Sequence, residues 1–227
     1  MAILPGPNVN IAKEWTPESI HPPDFNAWWV GKDGLTEEGN WRDRIAGIEA
    51  APAGDGNVEK RGAAINQDAP SWLQTGSETL FDPTRPGYWW SIARLNSTAQ
   101  TLGLFFTFAG WFLYAQDDGP GEYLCRLYPA TFSGRTDPFG PDALGRLMLV
   151  GMYWDGSGPA RLDVNGVAGP NTPIVVTPPS NGVLEIGTGT AGFWKADMDH
   201  FEIGFAQGED LRERLLEYVV NSYSEFM

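Results

Sequence analysis

Aromatic side chains stand side by side at several places in this chain: Tyr88-Trp89-Trp90, Phe105-Phe106, Trp111-Phe112 and Tyr153-Trp154. In an extended strand, neighbouring side chains point to opposite faces. One of each pair can enter a core, and the other must face a covering helix, a partner or a ligand. An outward Trp or Tyr can stack on a pyranose ring or anchor a protein interface. Trp89, Trp90, Tyr153 and Trp154 are therefore the candidates for carbohydrate or protein contact. Burial on both faces is the competing reading, because a C-terminal helix and long loops could cover the second face.

Asp117, Asp118, Asp155 and Asp163 fall near turn signals and are the residues that could hold calcium. Calcium takes six to eight oxygen ligands, several of them carboxylates. None of these acids shows EF-hand spacing, and Asp155 is placed to cap its own turn. No cofactor is expected, with calcium the one open alternative. Cys125 is the single cysteine, which excludes an intrachain disulfide and suits a small buried side chain. His21 and His200 are too few and too far apart to build a zinc site. Neither a phosphate-binding glycine loop nor a G-x-S-x-G turn occurs. Asn96-Ser97-Thr98 is a glycosylation triplet that matters only in a secreted protein.

The elements that must position these residues read as strands. Residues 87–95, 101–108, 111–116 and 121–128 are short runs rich in aromatic and β-branched residues, separated by turn signals, as in an all-β sandwich. Residues 48–86 are rich in Gly, Pro, Ala and Asp and read as loops with short strands. A final strand is expected over 192–206. Over 208–224, Leu211, Leu215, Tyr218, Val219 and Val220 fall near helical spacing, with Glu209 and Asp210 where a helix N-terminus favours acids. Residues 1–26 hold Pro5, Pro7, Pro17, Pro22 and Pro23 and read as an extended arm, with the domain running from Ala27 onward. The net charge of −14 argues against nucleic acid or an anionic membrane as partner.

The stretch 144–188 carries the most specific pattern. Leu147 to Trp154 leads into a turn at Asp155-Gly156-Ser157-Gly158. A second strand then ends in Asp163-Val164-Asn165-Gly166, and a third closes at Leu184-Glu185-Ile186-Gly187. With Asp199 to Phe205 and the helical run after Leu211, this order resembles the concanavalin A-like lectin/glucanase superfamily, in its laminin G-like form. Trp41, Asp43 and Gly47 resemble, with slightly altered spacing, the W-x-D-x-x-G opening of such domains. The resemblance implies an all-β, two-sheet jelly-roll sandwich with an N-terminal arm and a C-terminal helix. It also implies a scaffold that usually binds sugars or proteins.

Retaining β-glucanases of that superfamily carry E-x-D-x-x-E on one strand, whose outer carboxylates act as nucleophile and acid/base about 5 Å apart. This chain has Asp197, Asp199 and Glu202 there. The Asp at the first position is one methylene short, and a displacement of about 1 Å can cost about a hundredfold in rate. No catalytic residue is assigned on that ground, and hydrolysis is the weakest of three expectations. The N-terminus lacks the charge pattern of a secretory signal, although lectin-like sandwiches mostly meet their ligands outside cells. A virion resolves that conflict. The first expectation is thus a non-catalytic capsid-decoration, head-fibre or tail protein, oligomeric or assembly-bound, anchored to other structural proteins through residues 1–26. The second is a stand-alone carbohydrate-binding module recognising a cell-surface glycan.

Overall fold

The computed structural model describes residues 25–54, 58–67, 72–97, 102–119, 122–128, 134–135, 144–158, 160–168, 177–187, 197–208 and 210–223. The expected arm, apart from its last two residues, lies outside them. Phe25 and Asn26 already belong to the first strand, two residues before the expected domain start.

Two antiparallel sheets of eight strands each face one another. The first contains β1 (Phe25–Val30), β4 (Val58–Arg61), β5 (Ala64–Gln67), β7 (Gly87–Ser97), β12 (Leu147–Trp154), β13 (Arg161–Val164), β14 (Val167–Ala168) and β16 (Asp197–Gln207). Its order is β14-β13-β12-β7-β16-β5-β4. Strand β1 shares an edge of β16 with β5: β1 pairs along residues 202–206 and β5 at residues 199–200. The second sheet contains β2 (Trp41–Arg42), β3 (Glu49–Ala53), β6 (Trp72–Thr79), β8 (Leu102–Phe108), β9 (Trp111–Gly119), β10 (Glu122–Tyr128), β11 (Gly134–Arg135) and β15 (Asn181–Gly187). Its order is β11-β10-β9-β8-β15-β6-β3-β2. Residues 48–86 thus hold more strand than their composition suggests. Gly76, Ser77 and Thr79 of β6 face solvent, which masks its eight-residue length in the sequence.

Alternation along each strand separates two apolar clusters. Trp89, Ala93 and Leu95 of β7 join Ala27, Trp29, Phe106, Phe108, Met148, Val150, Met152 and Phe205 between the sheets. Trp89 is the hub, with Phe81, Phe108, Phe205 and Trp111 ring centroids 5.3, 5.5, 5.4 and 5.9 Å away. Aromatic pairs at such distances add about 0.5–1.5 kcal/mol each to what their buried area contributes. Tyr88, Trp90 and Ile92 point the other way and join Trp28, Leu147, Leu149 and Phe201. That second cluster is roofed by α1 (Arg212–Ser222), which buries Leu215, Tyr218 and Val219 against it. The paired aromatics follow from this arrangement: the central strands of the first sheet are covered on both faces and need apolar residues at successive positions.

The helix is shorter than the expected 208–224. Gly208 has φ of 107°, outside helical space, and the Asp210 carboxylate accepts the Arg212 backbone N–H at 3.0 Å. Together they start the helix after Leu211.

The Trp41–Asp43–Gly47 pattern has a physical origin. The Asp43 carboxylate accepts backbone N–H groups of Trp28 (3.1 Å), Ile45 (2.7 Å), Ala46 (3.2 Å) and Ile48 (2.7 Å). Gly47 supplies the positive φ of 73° that closes the turn around it. Asp43→Ala leaves these donors without their acceptor. Part of the loop can turn to water, so the expected loss is about 2–3 kcal/mol in urea denaturation, and a loss under about 0.5 kcal/mol would contradict this role.

Candidate functional site

The first sheet is roofed by α1, and among the described residues no helix or further strand packs on the outer face of the second sheet. Leu73, Phe106, Leu113, Leu184 and Ile186 face the core between the sheets. Their strand neighbours Trp72, Gln74, Thr107, Phe112, Tyr114 and Glu185 therefore share the opposite face. Backbone register sets them in rows. Gln74 on β6 lies opposite Glu185 on β15, Glu185 opposite Thr107 on β8, and Thr107 opposite Phe112 on β9. Four adjacent strands at about 4.8 Å spacing make this row about 14 Å long.

Trp72 stands at one corner of it. Its cross-strand neighbours are Ala53 on β3 and Gly187 on β15. Neither has a side chain tall enough to wall in the indole, which is half-buried. The indole N–H donates to Gln74 Oε1 at 3.1 Å and so holds the ring in place. Thr107 is itself buried, and its Oγ1 donates to Glu185 Oε2 at 3.1 Å, leaving Gln74 and Glu185 as the half-buried polar members of the row. Phe112 and Tyr114 on β9 stand at the far side, Phe112 half-buried and Tyr114 buried. The result is a polar strip between aromatic flanks.

The contact candidates read from the sequence are elsewhere. Trp89 is fully buried between the sheets and Trp90 fully buried beneath α1. Trp154 is buried too, its indole N–H donating to the Pro83 carbonyl at 2.9 Å. Tyr153 is half-buried and packs against the cluster under the helix, where burial pushes its hydroxyl pKa up. As placed, the three tryptophans present no face to a ligand.

The calcium candidates are scattered. Asp155 Oδ1 accepts the backbone N–H groups of Ser157 (2.9 Å) and Gly158, the expected turn cap, and these bonds lower its pKa. Asp163 is a buried strand residue, not a loop acid. Asp117 and Asp118 fall in β9, not in a loop, and their side chains lie outside the described residues. Among the described residues no group of three His, Cys, Asp or Glu side chains could hold a metal ion.

The carboxylates of β16 do not form a pair across a cleft. Asp199 is held by the Arg94 guanidinium at 2.9 Å and by the Asn66 amide at 2.8 Å. Asp197 accepts from the same amide nitrogen, also at 2.8 Å. Glu202 follows a bulge in the pairing and lies fully buried under α1. Its Oε2 accepts from Trp28 Nε1 at 2.8 Å, and its Oε1 accepts from the Tyr218 hydroxyl at 2.7 Å and from the Tyr223 hydroxyl. Burial raises its pKa, while the three donors act against that. His200 is buried beside these residues, and desolvation lowers its imidazole to about 4.

No protein-family model matches the chain, and no curated protein does. Solved structures do. Domain 4 of an extracellular arabinanase from Geobacillus stearothermophilus, in complex with arabinotriose, superposes with a TM-score of 0.61. The two are 14% identical, over 86% of this chain and 97% of that one. The fold is a two-sheet β-sandwich. The binding domain of botulinum neurotoxin serotype D has a TM-score of 0.63 at 8% identity over 88% of this chain, which spans 52% of that domain. A Trypanosoma rangeli sialidase has a TM-score of 0.65 at 10% identity over 88% of this chain and 33% of its own.

The outward row was within reach of the sequence. In Trp72-Leu73-Gln74-Thr75 the first and third residues can face solvent while the second and fourth face the core. The low density of apolar residues around it in 48–86 hid the strand.

Proposed function

We propose that this domain is a non-catalytic carbohydrate-binding module whose ligand lies on the open face of the second sheet. The observation that carries this is the row Gln74–Glu185–Thr107, a strip of donors and acceptors with the corner indole of Trp72 on one side and Phe112 on the other. Sugars present alternating hydroxyl edges and apolar C–H faces, and such a surface meets both. The arabinanase domain of the same fold, in complex with arabinotriose, supports the reading. The engagement of Asp199 by Arg94 and of Glu202 by three donors favours binding without hydrolysis. The virion role expected from the sequence draws no support from the structural neighbours, and its anchor, residues 1–26, falls almost wholly outside the described residues.

A glycan array run with the purified chain and with Trp72→Ala tests it. The wild type should give specific hits, and the variant should lose about tenfold or more in affinity, the value of one stacked aromatic of about 1.4 kcal/mol. Its thermal midpoint should stay close to that of the wild type, because the indole is only partly buried. Hits that survive Trp72→Ala unchanged would remove this face from the function.

A further inference from the structure

We infer, resting on the binding face proposed above, that an oligosaccharide on it reaches past the polar row into a subsite over β3, where one sugar ring stacks on Trp72 above Ala51 and Ala53 and accepts a hydrogen bond from Gln74. Trp72 and Gln74 pair in unbroken register on both sides: with Ala53 and Ala51 on β3, and with Gly187 and Glu185 on β15. Leu73 and Ala50 face the core, so these positions share the outward face. The two flanks of the indole differ. Gly187 is buried, whereas Ala51 and Ala53 are half-buried. The accessible flank is therefore the one over β3. The pairing of β2 with β3 covers Glu49 and Ala50 and stops short of Ala51.

The indole is set for stacking there. An indole N–H points outward in the ring plane, and this one donates to Gln74 Oε1, two residues along the same strand. The ring plane thus runs along β6 and turns a face, not an edge, to what lies beside or above it. Gln74 commits its Oε1 to the indole, so the group it offers a ligand is its NH2, which makes no hydrogen bond among the described residues. Amide geometry keeps that nitrogen within about 5.4 Å of Trp72 Nε1. The subsite has an aromatic wall, a floor of two methyl groups and one donor at the edge of the wall. A sugar ring matches it part by part: a C–H face for the indole, further C–H groups over the alanines, and a hydroxyl oxygen at its rim for Gln74.

Calorimetric titration with trisaccharides of glucose, xylose, arabinose, mannose and galactose tests this on the wild type and on Ala53→Leu, Gln74→Met and Trp72→Ala. At least one of the five should bind the wild type. Ala53→Leu fills the space beside the indole and should weaken that binding about tenfold or more. It should leave the thermal midpoint and the Trp72 indole N–H resonance of the free protein in place. Gln74→Met removes the donor and the anchor of the ring together. It should shift that resonance in the free protein and weaken binding about fivefold or more. Both residues act on one sugar, so Gln74→Met in a Trp72→Ala background should cost less than about twofold further. Unchanged affinity in Ala53→Leu, with binding lost in Trp72→Ala, would overturn the placement over β3 while leaving the face as the site. No binding of any of the five would overturn this inference, and an empty glycan array would remove the reading it rests on.

Discussion

Glu202→Ala should lose about 4 kcal/mol of folding stability, and the loss should concentrate at the C-terminal helix. The carboxylate is fully buried and accepts three side-chain hydrogen bonds, two of them from Tyr218 on the helix and Tyr223 just after it, the third from Trp28 of β1. It ties β1, β16 and α1 together at one point. Removing it leaves three donors in a place water does not reach, each costing about 1–3 kcal/mol if it finds no new partner. Some relaxation of the tyrosines brings the sum down, in line with the 3–5 kcal/mol typical of breaking a buried charged network. Glu202→Gln keeps an oxygen for the tyrosines but turns an amide N–H toward the Trp28 indole, so an intermediate loss of about 2 kcal/mol is expected. Urea denaturation gives the totals, and amide exchange in 212–222 locates the loss. A Glu202→Ala variant within 1 kcal/mol of wild type would show that the latch is not needed. Ligand binding by Glu202→Gln should be unchanged, because the residue lies beneath the opposite sheet from the proposed face.

Asp163→Asn should stabilise the protein at alkaline pH and have little effect near pH 5. Asp163 is buried, accepts the Tyr88 hydroxyl at 2.6 Å through Oδ2, and among the described residues has no hydrogen-bond partner for Oδ1. Gly151 makes the room: a Cβ there would fall 1.9 Å from the Tyr88 hydroxyl oxygen. Desolvation raises the carboxyl to about 7, against opposing contributions from the Tyr88 bond and the charge of Arg212, with Asp210 adding to the rise. A carboxyl whose folded pKa lies above its unfolded one binds more protons in the folded state between the two values. Stability therefore falls as pH rises from about 4 to about 7 and levels off above that, an effect of about 3 kcal/mol between about pH 5 and about pH 9. His200 works in the other direction. Its lowered pKa makes stability fall as pH drops from about 6.5 toward about 4. The wild-type profile alone mixes the two, and the difference between Asp163→Asn and wild type isolates the first. That difference should grow with pH through 7. A difference that is flat from pH 5 to pH 9 would mean that the buried carboxyl titrates in its ordinary range.

The sandwich was legible where local rules and packing agree. The Asp155 turn forms as its sequence requires, with Asp155 accepting from Ser157 and Gly158, and Asn165 and Gly166 take the positive φ values of 52° and 77° that the next hairpin needs. Asp199 to Phe205 and the helical run after Leu211 fall on β16 and α1. The proposed face was not singled out in the sequence because adjacent aromatics signal burial on two faces as strongly as exposure on one. Trp89 and Trp90 are both buried, one under each cover of β7. Only the tertiary arrangement shows that α1 roofs the first sheet and that no described element packs on the outer face of the second. Trp72, by contrast, stands alone among small and polar residues, and its value depends on Ala53 and Gly187 across the sheet, far from it in sequence.

The most direct test of the open face as the binding site is amide and indole chemical-shift mapping with an oligosaccharide that binds. Shifts should concentrate on β6, β8, β9 and β15, with the Trp72 indole N–H among the largest. Shifts centred on α1 or on the strands it covers, with the Trp72 indole unmoved, would contradict the assignment.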